Sequence, residues 1–393
     1  MIVVGAGPTG LTAALALRHH GLPVTLLEAE PHDRARPGSR ALFVHGQTLR
    51  RLAAVSPAVA DRIAGHGLLW RTRRTLHGGR EVYRRSYPPP PPGRPPPFVS
   101  LRQVDTERFL LDACLDAGVD VRWGSPVTGV RADHDGVTVH TADRQWRAPF
   151  VVAADGARSA VRRALGVALR GPRPEGFHVV VDLADDPDDP VPPVRTLHYE
   201  HPAIGRRTVL QVPFAGGGQI DLQCRADDRP EDFATVEAAR DWLPTVVPAR
   251  YRDRILWVAR YRFQQVVADR MVDATGRVLL AGEAAHLFPP FGARGMNSGI
   301  ADAVAAAASI AAADGAGADP SAAVARYAEQ RQRAAHHNRD AARAALRHLR
   351  PGPAMRLRQR CSAVLAPRVP ALGRWLETAP YGPRSGPSAE SKY

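Results

Sequence analysis

Lysine is almost missing from this chain of 393 residues: it occurs once, as Lys392. The formal net charge of +14 is therefore carried by arginine. Such a bias, beside 36 prolines and long alanine runs, reads as a drift toward GC-rich codons that spreads arginine over any surface. It does not call for a specific nucleic-acid partner, even though a strong positive charge ordinarily raises one. The excess peaks between Ser321 and Arg374, where twelve arginines face only Glu329 and Asp340. A solvated basic face on C-terminal helices is the expected reading.

Cysteine is scarce too. Cys114, Cys224 and Cys361 are odd in number, far apart and in no CxxC or Cys/His ligand spacing. Neither a disulfide framework nor a zinc site is indicated, no metal is expected, and a reducing cytoplasm fits. No run is long and apolar enough to promise a membrane span: Ala303 to Ala313 is short and mostly alanine. The apolar N-terminus lacks the basic start of a signal peptide and is studded with glycine. Internal repeats are absent, and a soluble, cytoplasmic monomer or homodimer is the expectation.

What is present begins with "MIVV", a short buried strand, followed at once by "GAGPTG" and the helix "LTAALALRHH", which stops at Gly21. "PVTLLEAE" supplies a second strand, Val24 to Leu27, ending in Glu28. Residues 46–67 look helical. Tyr87 to Phe98, "YPPPPPGRPPPF", cannot be regular structure, because proline lacks the amide donor and fixes φ; a stiff connection is expected. A helix resumes at "DTERFLLDACLDAG", with Asp105 or Thr106 as its cap. From Phe177 to Phe263 short β-rich runs alternate with Gly, Pro and Asp, the signature of an antiparallel sheet inserted into an α/β frame. "RVLLAG" then returns to a buried strand, and the remainder is helical to about Arg350, with Asp319 and Pro320 at a helix start, and again near 354–378.

Gly5-Ala6-Gly7-Pro8-Thr9-Gly10 has dinucleotide-binding spacing. Gly5 makes the tight turn, Gly7 lets backbone approach a pyrophosphate, and Gly10 permits close helix packing. Glu28, at the end of the next strand, is placed to accept hydrogen bonds from ribose hydroxyls. FAD and NAD both satisfy this fingerprint. No second GxGxxG follows a strand; "GAGAD" at 315–319 follows a helix. Instead, "AADGARSAVRRALG" stands mid-chain and "GEAAHLFPPFGARGMNSGIADA" near the end.

These three motifs, Gly5–Gly10 with Glu28, Asp155-Gly156 with Arg158 and Ser159, and Gly282-Glu283-Ala284-Ala285-His286 followed by Pro289-Pro290, resemble those of the FAD-dependent aromatic hydroxylases, the group A flavoprotein monooxygenases. The resemblance covers about residues 1–350. It implies an α/β fold, in which a Rossmann-like FAD-binding domain carries an inserted, mostly antiparallel substrate sheet and C-terminal helices. The implied division is 1–86 and 99–175 for the FAD-binding domain, with 87–98 as connection, and 176–265 for the substrate domain. Residues 266–320 return to the flavin, 321–380 form C-terminal helices, and 381–393 a flexible tail.

The resemblance further implies that Asp155-Gly156 serves flavin and pyridine nucleotide alike, and that Arg40 and Gln103 approach the FAD. The carboxylate at 283, normally aspartate in the family, would hold a ribityl hydroxyl through Glu283. His286 reads as a packed histidine. In "FGARGMNSG", Ala293-Arg294 replaces the commoner glycine pair; Gly292 belongs to this loop, and Gly295, Met296 and Asn297 open a helix whose positive end faces the flavin ring. Pro290 and Arg294 lie near that ring. By the same resemblance NADPH or NADH reduces FAD, O2 adds as a C4a-hydroperoxide, and a small aromatic, phenolic or polyketide-like, substrate is hydroxylated. No protein nucleophile or acid–base pair is obligatory, because the cofactor carries the chemistry. Phe263 and Pro290 are expected among the substrate liners. A halogenase would want a WxWxIP-like segment and an active-site lysine, and neither is present. An epoxidase or other non-aromatic oxygenase and a non-catalytic flavin-binding protein are the alternatives.

Overall fold

The structure is a computed structural model that describes residues 1–33, 42–91, 93–172, 176–225, 227–314 and 320–383. Five short strands make a parallel sheet in the order Val278–Leu280, Val151–Ala153, Ile2–Val4, Thr25–Leu27, Asp120–Arg122. Three of them, Val278–Leu280, Val151–Ala153 and Ile2–Val4, are apolar and buried throughout, as strands covered on both faces must be. The helices Pro8–His19 and Arg294–Asp314 pack together beside this sheet, and Pro320–Leu349 packs along the latter. Helix Arg294–Asp314 is long and apolar enough to cross a membrane by length and composition, which the shorter run at 303–313 did not suggest; most of it is buried inside the fold.

The β-rich middle forms one seven-stranded sheet in the order Ile255–Arg262, Phe177–Ala184, Gly217–Gln223, Arg207–Phe214, Val194–His201, Thr72–His77, Arg80–Ser86. Four of its six pairings are plain antiparallel neighbours of the inserted segment. The last two strands are a hairpin from 72–86, which the sequence division puts with the first unit; it enters the sheet through a parallel pairing of Thr72–His77 with Val194–His201. Such long-range pairing leaves no local mark, because the hairpin's own pattern is satisfied in either sheet.

Local boundaries also shift. Residues 46–67 split into Gly46–Val55 and Pro57–His66, with the Ser56 hydroxyl accepting from the Val59 amide and Pro57 in the first turn. The helix expected to be capped at Asp105 or Thr106 spans Gln103–Asp116, preceded by Arg102 with no side-chain cap. Asp105 lies inside the first turn, where negative charge suits the helix dipole, and pairs with Arg102 at 3.2 Å. The C-terminal stretch divides into Pro353–Leu365 and Pro370–Thr378. Asp319 lies outside the described residues, as does the tail beyond Pro383.

Candidate active site

The first loop is shaped by contacts that exclude side chains. Gly5 has φ +100° and its amide donates to the Leu27 carbonyl at 2.8 Å. A Cβ on Gly10 would lie 1.8 Å from the Gly5 carbonyl oxygen, whereas one on Gly7 would meet nothing within 4 Å. Gly10 thus closes the helix onto the strand, and Gly7 faces open space where the first helix starts at Pro8. Glu28 is buried, and its carboxylate accepts from the Ala6 amide at 2.5 Å and the Glu30 amide at 3.0 Å. The acid expected to bind ribose therefore also braces the loop.

The second motif follows strand Val151–Ala153. One Asp155 oxygen accepts from the Val161 amide at 3.1 Å; the other, Oδ1, is buried with no hydrogen-bond partner. Gly156, at φ +76°, has nothing within 4 Å of its Cβ position. Ser159 is a helix cap, its hydroxyl accepting from the Arg162 amide at 2.9 Å. Arg162, which the motif reading did not single out, reaches across to the Ala284 carbonyl at 3.0 Å and ties this loop to the third motif.

The third motif meets the first directly. Gly282, at φ +62°, and Gly299 leave room for Thr9: Cβ atoms there would lie 2.6 and 2.2 Å from its hydroxyl. The Gly282 amide donates to Asp302 Oδ2 at 3.0 Å. His286 Nε2 lies 2.6 Å from the same oxygen, and Arg331 Nε donates to Oδ1 at 2.6 Å. Burial alone pushes the Asp302 carboxyl up, but His286, Arg331 and the amide outweigh it and hold it below the usual carboxylate range. His286 is buried and stacked on Phe288 with centroids 4.6 Å apart. Glu283, by contrast, is exposed to the cavity and makes no hydrogen bond or ion pair among the described residues.

At the start of helix Arg294–Asp314, the Ala293 amide donates to the Pro290 carbonyl at 3.0 Å and Ala293 takes φ +51°. A Cβ on Gly295 would meet nothing within 4 Å. The Asn297 side chain is used for construction: it accepts from the His45 amide and the Thr48 hydroxyl and donates to the Phe43 and Ala293 carbonyls. Only its backbone is left to face a ligand. Arg294 points away from a free role, donating to Asn338 and to the Tyr381 and Pro383 carbonyls. The first residues of the tail are thereby tied down. Burial and the positive charge of Arg294 push the His45 imidazole down to about 4.

One cavity of about 1590 Å³ joins these pieces. Its lining includes Gly5, Gly7, Pro8, Thr9, Glu28, Gln103, Asp155, Gly156 and Arg158, from the first two motifs and the Gln103 helix, together with Glu283, Pro290, Gly292, Arg294, Gly295, Met296 and Asn297 from the third. Gly10 and Gly282 stand behind the wall and shape it. Gln103, at the first turn of its helix, donates to Glu107 at 2.8 Å. Arg40 lies outside the described residues.

The roof is one face of the seven-stranded sheet. Along Gly217–Gln223 the residues Gln219, Asp221 and Gln223 line the cavity while Ile220 and Leu222 pack on the far side. The same period-two alternation turns His178 and Val180, Arg195 and Leu197, and Leu210 and Val212 toward it. His178 Nδ1 pairs with Asp221 at 2.8 Å. Phe263 is fully buried, stacked on His178 and tilted against Phe291, and lies in the core rather than on the cavity wall. The signal that could have found the polar liners is in "QIDLQ": a strand whose polar and apolar faces are both buried needs something polar to cover one of them.

The geometry agrees with what the chain is similar to. The family model for the FAD binding domain matches residues 1–342. A 3-(3-hydroxy-phenyl)propionate/3-hydroxycinnamic acid hydroxylase of Mycobacterium avium is 31% identical over 331 residues, covering 77% of this chain and 53% of that one. A rifampicin monooxygenase of Streptomyces venezuelae is 31% identical over 327 residues, covering 77% and 62%. The chain thus matches about half to three-fifths of the length of these curated relatives. In fold, p-nitrophenol 4-monooxygenase PnpA of Pseudomonas putida DLL-E4 superposes with a TM-score of 0.79 at 24% identity, covering 98% of both chains. By its motifs, their placement and this match, the chain belongs to the FAD-binding-domain family that includes the FAD-dependent aromatic hydroxylases.

Proposed function

We propose that the protein is a monooxygenase that binds FAD along this cavity and, with NADPH or NADH and O2, hydroxylates a small aromatic substrate, phenolic or polyketide-like. The observation that carries the reading is the one cavity lined by both Gly7 and Gly295. Both glycines, and Gly156 on the same cavity, leave a cradle that a Cβ would invade. The buried, unpartnered Asp155 oxygen and the unengaged Glu283 supply acceptors for a polyhydroxyl stem.

Each part has a physical task. The amides at the start of helix Pro8–His19 offer donors and positive potential to a pyrophosphate. Those at the start of helix Arg294–Asp314 stabilise negative charge on the flavin edge. Asn297 locks that helix end to strand Phe43–His45, so the donors need no reorganisation when charge develops. FAD held by these residues would supply the redox chemistry, hydride uptake from the nicotinamide and activation of O2 for transfer to the ring. The sheet roof, with Leu197, Leu210, Val212 and Phe291, keeps water from the reacting atoms.

The test is one preparation. Purified protein reconstituted with FAD is expected to be yellow and to consume NAD(P)H and O2 faster with a phenolic ligand, yielding a product heavier by one oxygen. Colourless protein that FAD cannot reconstitute would overturn the reading.

A further inference from the structure

The roof carries one charge that nothing among the described residues balances. Strand Val194–His201 runs parallel to Thr72–His77 in a register that sets Arg195 beside Arg73, on the same face. Both line the cavity and both are buried, at 3% and 7% exposure. Arg73 has its counter-ion: Nη1 donates to the fully buried Glu377 at 2.7 Å. Arg195 has none. Its guanidinium lies 4.8 Å from the Tyr381 ring, its Nη1 is buried with no partner, and it makes no hydrogen bond or ion pair among the described residues.

The other carboxylate on this part of the wall is spoken for. Asp221 is held by His178 at 2.8 Å and by Gln223 at 2.7 Å. Two guanidiniums therefore stand side by side with one carboxylate, Glu377, which pairs with Arg73 alone; Trp70, Leu197, Leu210 and Val212 line the same cavity. A buried charge without a partner is costly, and a fold tolerates it where a ligand completes the pair. A planar guanidinium matches a carboxylate through two parallel hydrogen bonds.

We propose that Arg195 receives a carboxylate carried by the aromatic substrate, so that the enzyme selects phenolic acids over neutral phenols; this rests on the function proposed above. Arg73 adds a second positive charge beside it, and Tyr381, its ring faced by both guanidiniums at 4.8 and 5.1 Å, holds the pair in place. A phosphate of NAD(P)H is the other source of such an anion, and the experiment separates the two.

FAD-loaded protein is titrated with 3-hydroxybenzoate and 3-(3-hydroxyphenyl)propionate and with the amide of each, followed by calorimetry and by the flavin difference spectrum. The wild type is expected to bind at least one acid roughly tenfold or more tightly than its amide. Arg195→Gln should weaken that acid about 10- to 100-fold, the range for a hydrogen bond to a charged group, and shift its amide less than about threefold. Arg195→Lys should recover part of the loss, and the KM for NADH and NADPH should not move. Equal binding of acids and amides by the wild type, binding of no acid, or equal weakening of acid and amide by Arg195→Gln each overturns the proposal. So does a raised KM for NAD(P)H with acid binding unchanged, which would assign the anion to the nicotinamide. Should Arg195→Gln fail to fold, the wild-type comparison and Arg195→Lys decide. A yellow protein that oxidises NAD(P)H with phenols but ignores the carboxylate fails this inference alone; protein that takes no FAD fails the function as well.

Discussion

Gly7 and Gly10 stand three residues apart and are glycine for opposite reasons. Gly10 is glycine because the Gly5 carbonyl occupies the place of its Cβ; Gly7 is glycine although its Cβ position is empty and its φ of −78° suits any residue. The first is a packing constraint, the second a clearance. Gly10→Ala is therefore expected to destabilise the protein even without cofactor, by about 1–3 kcal/mol or more for an overpacked site, read as a lowered melting temperature of the apoprotein. Gly7→Ala should leave that melting temperature unchanged and weaken FAD at least tenfold, measured by fluorescence titration. Equal effects of the two on the apoprotein would refute the assignment. Spacing alone shows that glycine is wanted at both; only the packed structure shows which one faces open space.

At the scale of elements, Asp302 joins what the motifs leave separate. An acid inside an alanine-rich helix gives no sequence signal, yet it gathers the Gly282 amide at a strand end, His286, and Arg331 from helix Pro320–Leu349. Asp302→Asn leaves Arg331 buried without its partner and is expected to cost about 3–5 kcal/mol, the usual range for one half of a buried pair. Because this carboxyl is held below its ordinary range, its contribution is full above the unfolded value, about 3.9, and is lost as pH falls through the lower folded value. Urea midpoints measured between pH 2 and pH 6 should show that acid-side fall in the wild type and a flatter curve in Asp302→Asn. Parallel curves would argue against the network. The hairpin from 72–86 makes the same point without charge: its partner was not legible, since pairing across more than a hundred residues depends on which sheet edge lies nearby.

Over the whole molecule, three neutral histidines sit in three different places: His45 at the cavity, His198 on the sheet, and His348 under the C-terminal helices. Burial first, and then a neighbouring positive group (Arg294, His201 and Arg358 respectively), pushes each down to about 4. Between that value and the ordinary 6.5 the unfolded chain takes up protons and the folded chain does not, so stability must fall as pH is lowered through this window. The loss should be on the order of a few kcal/mol by pH 4.5, read as a falling denaturant midpoint while Asp302 is still charged. A midpoint that stays level from pH 7 to 5 would contradict it.

Residue order alone determined the nucleotide loop, the Asp155-Gly156 turn, the Gly282–Asn297 loop and the α/β class, because steep backbone turns and helix–strand contacts admit few residue types and so leave their demands written locally. The tertiary structure decided what lies between: that Thr9 seats itself against Gly282 and Gly299, that Phe263 turns inward, and that Arg195 faces the cavity uncompensated. Those outcomes depend on which side of a strand is covered and by what. That depends on segments distant in the chain, and a stretch of sequence cannot state it by itself.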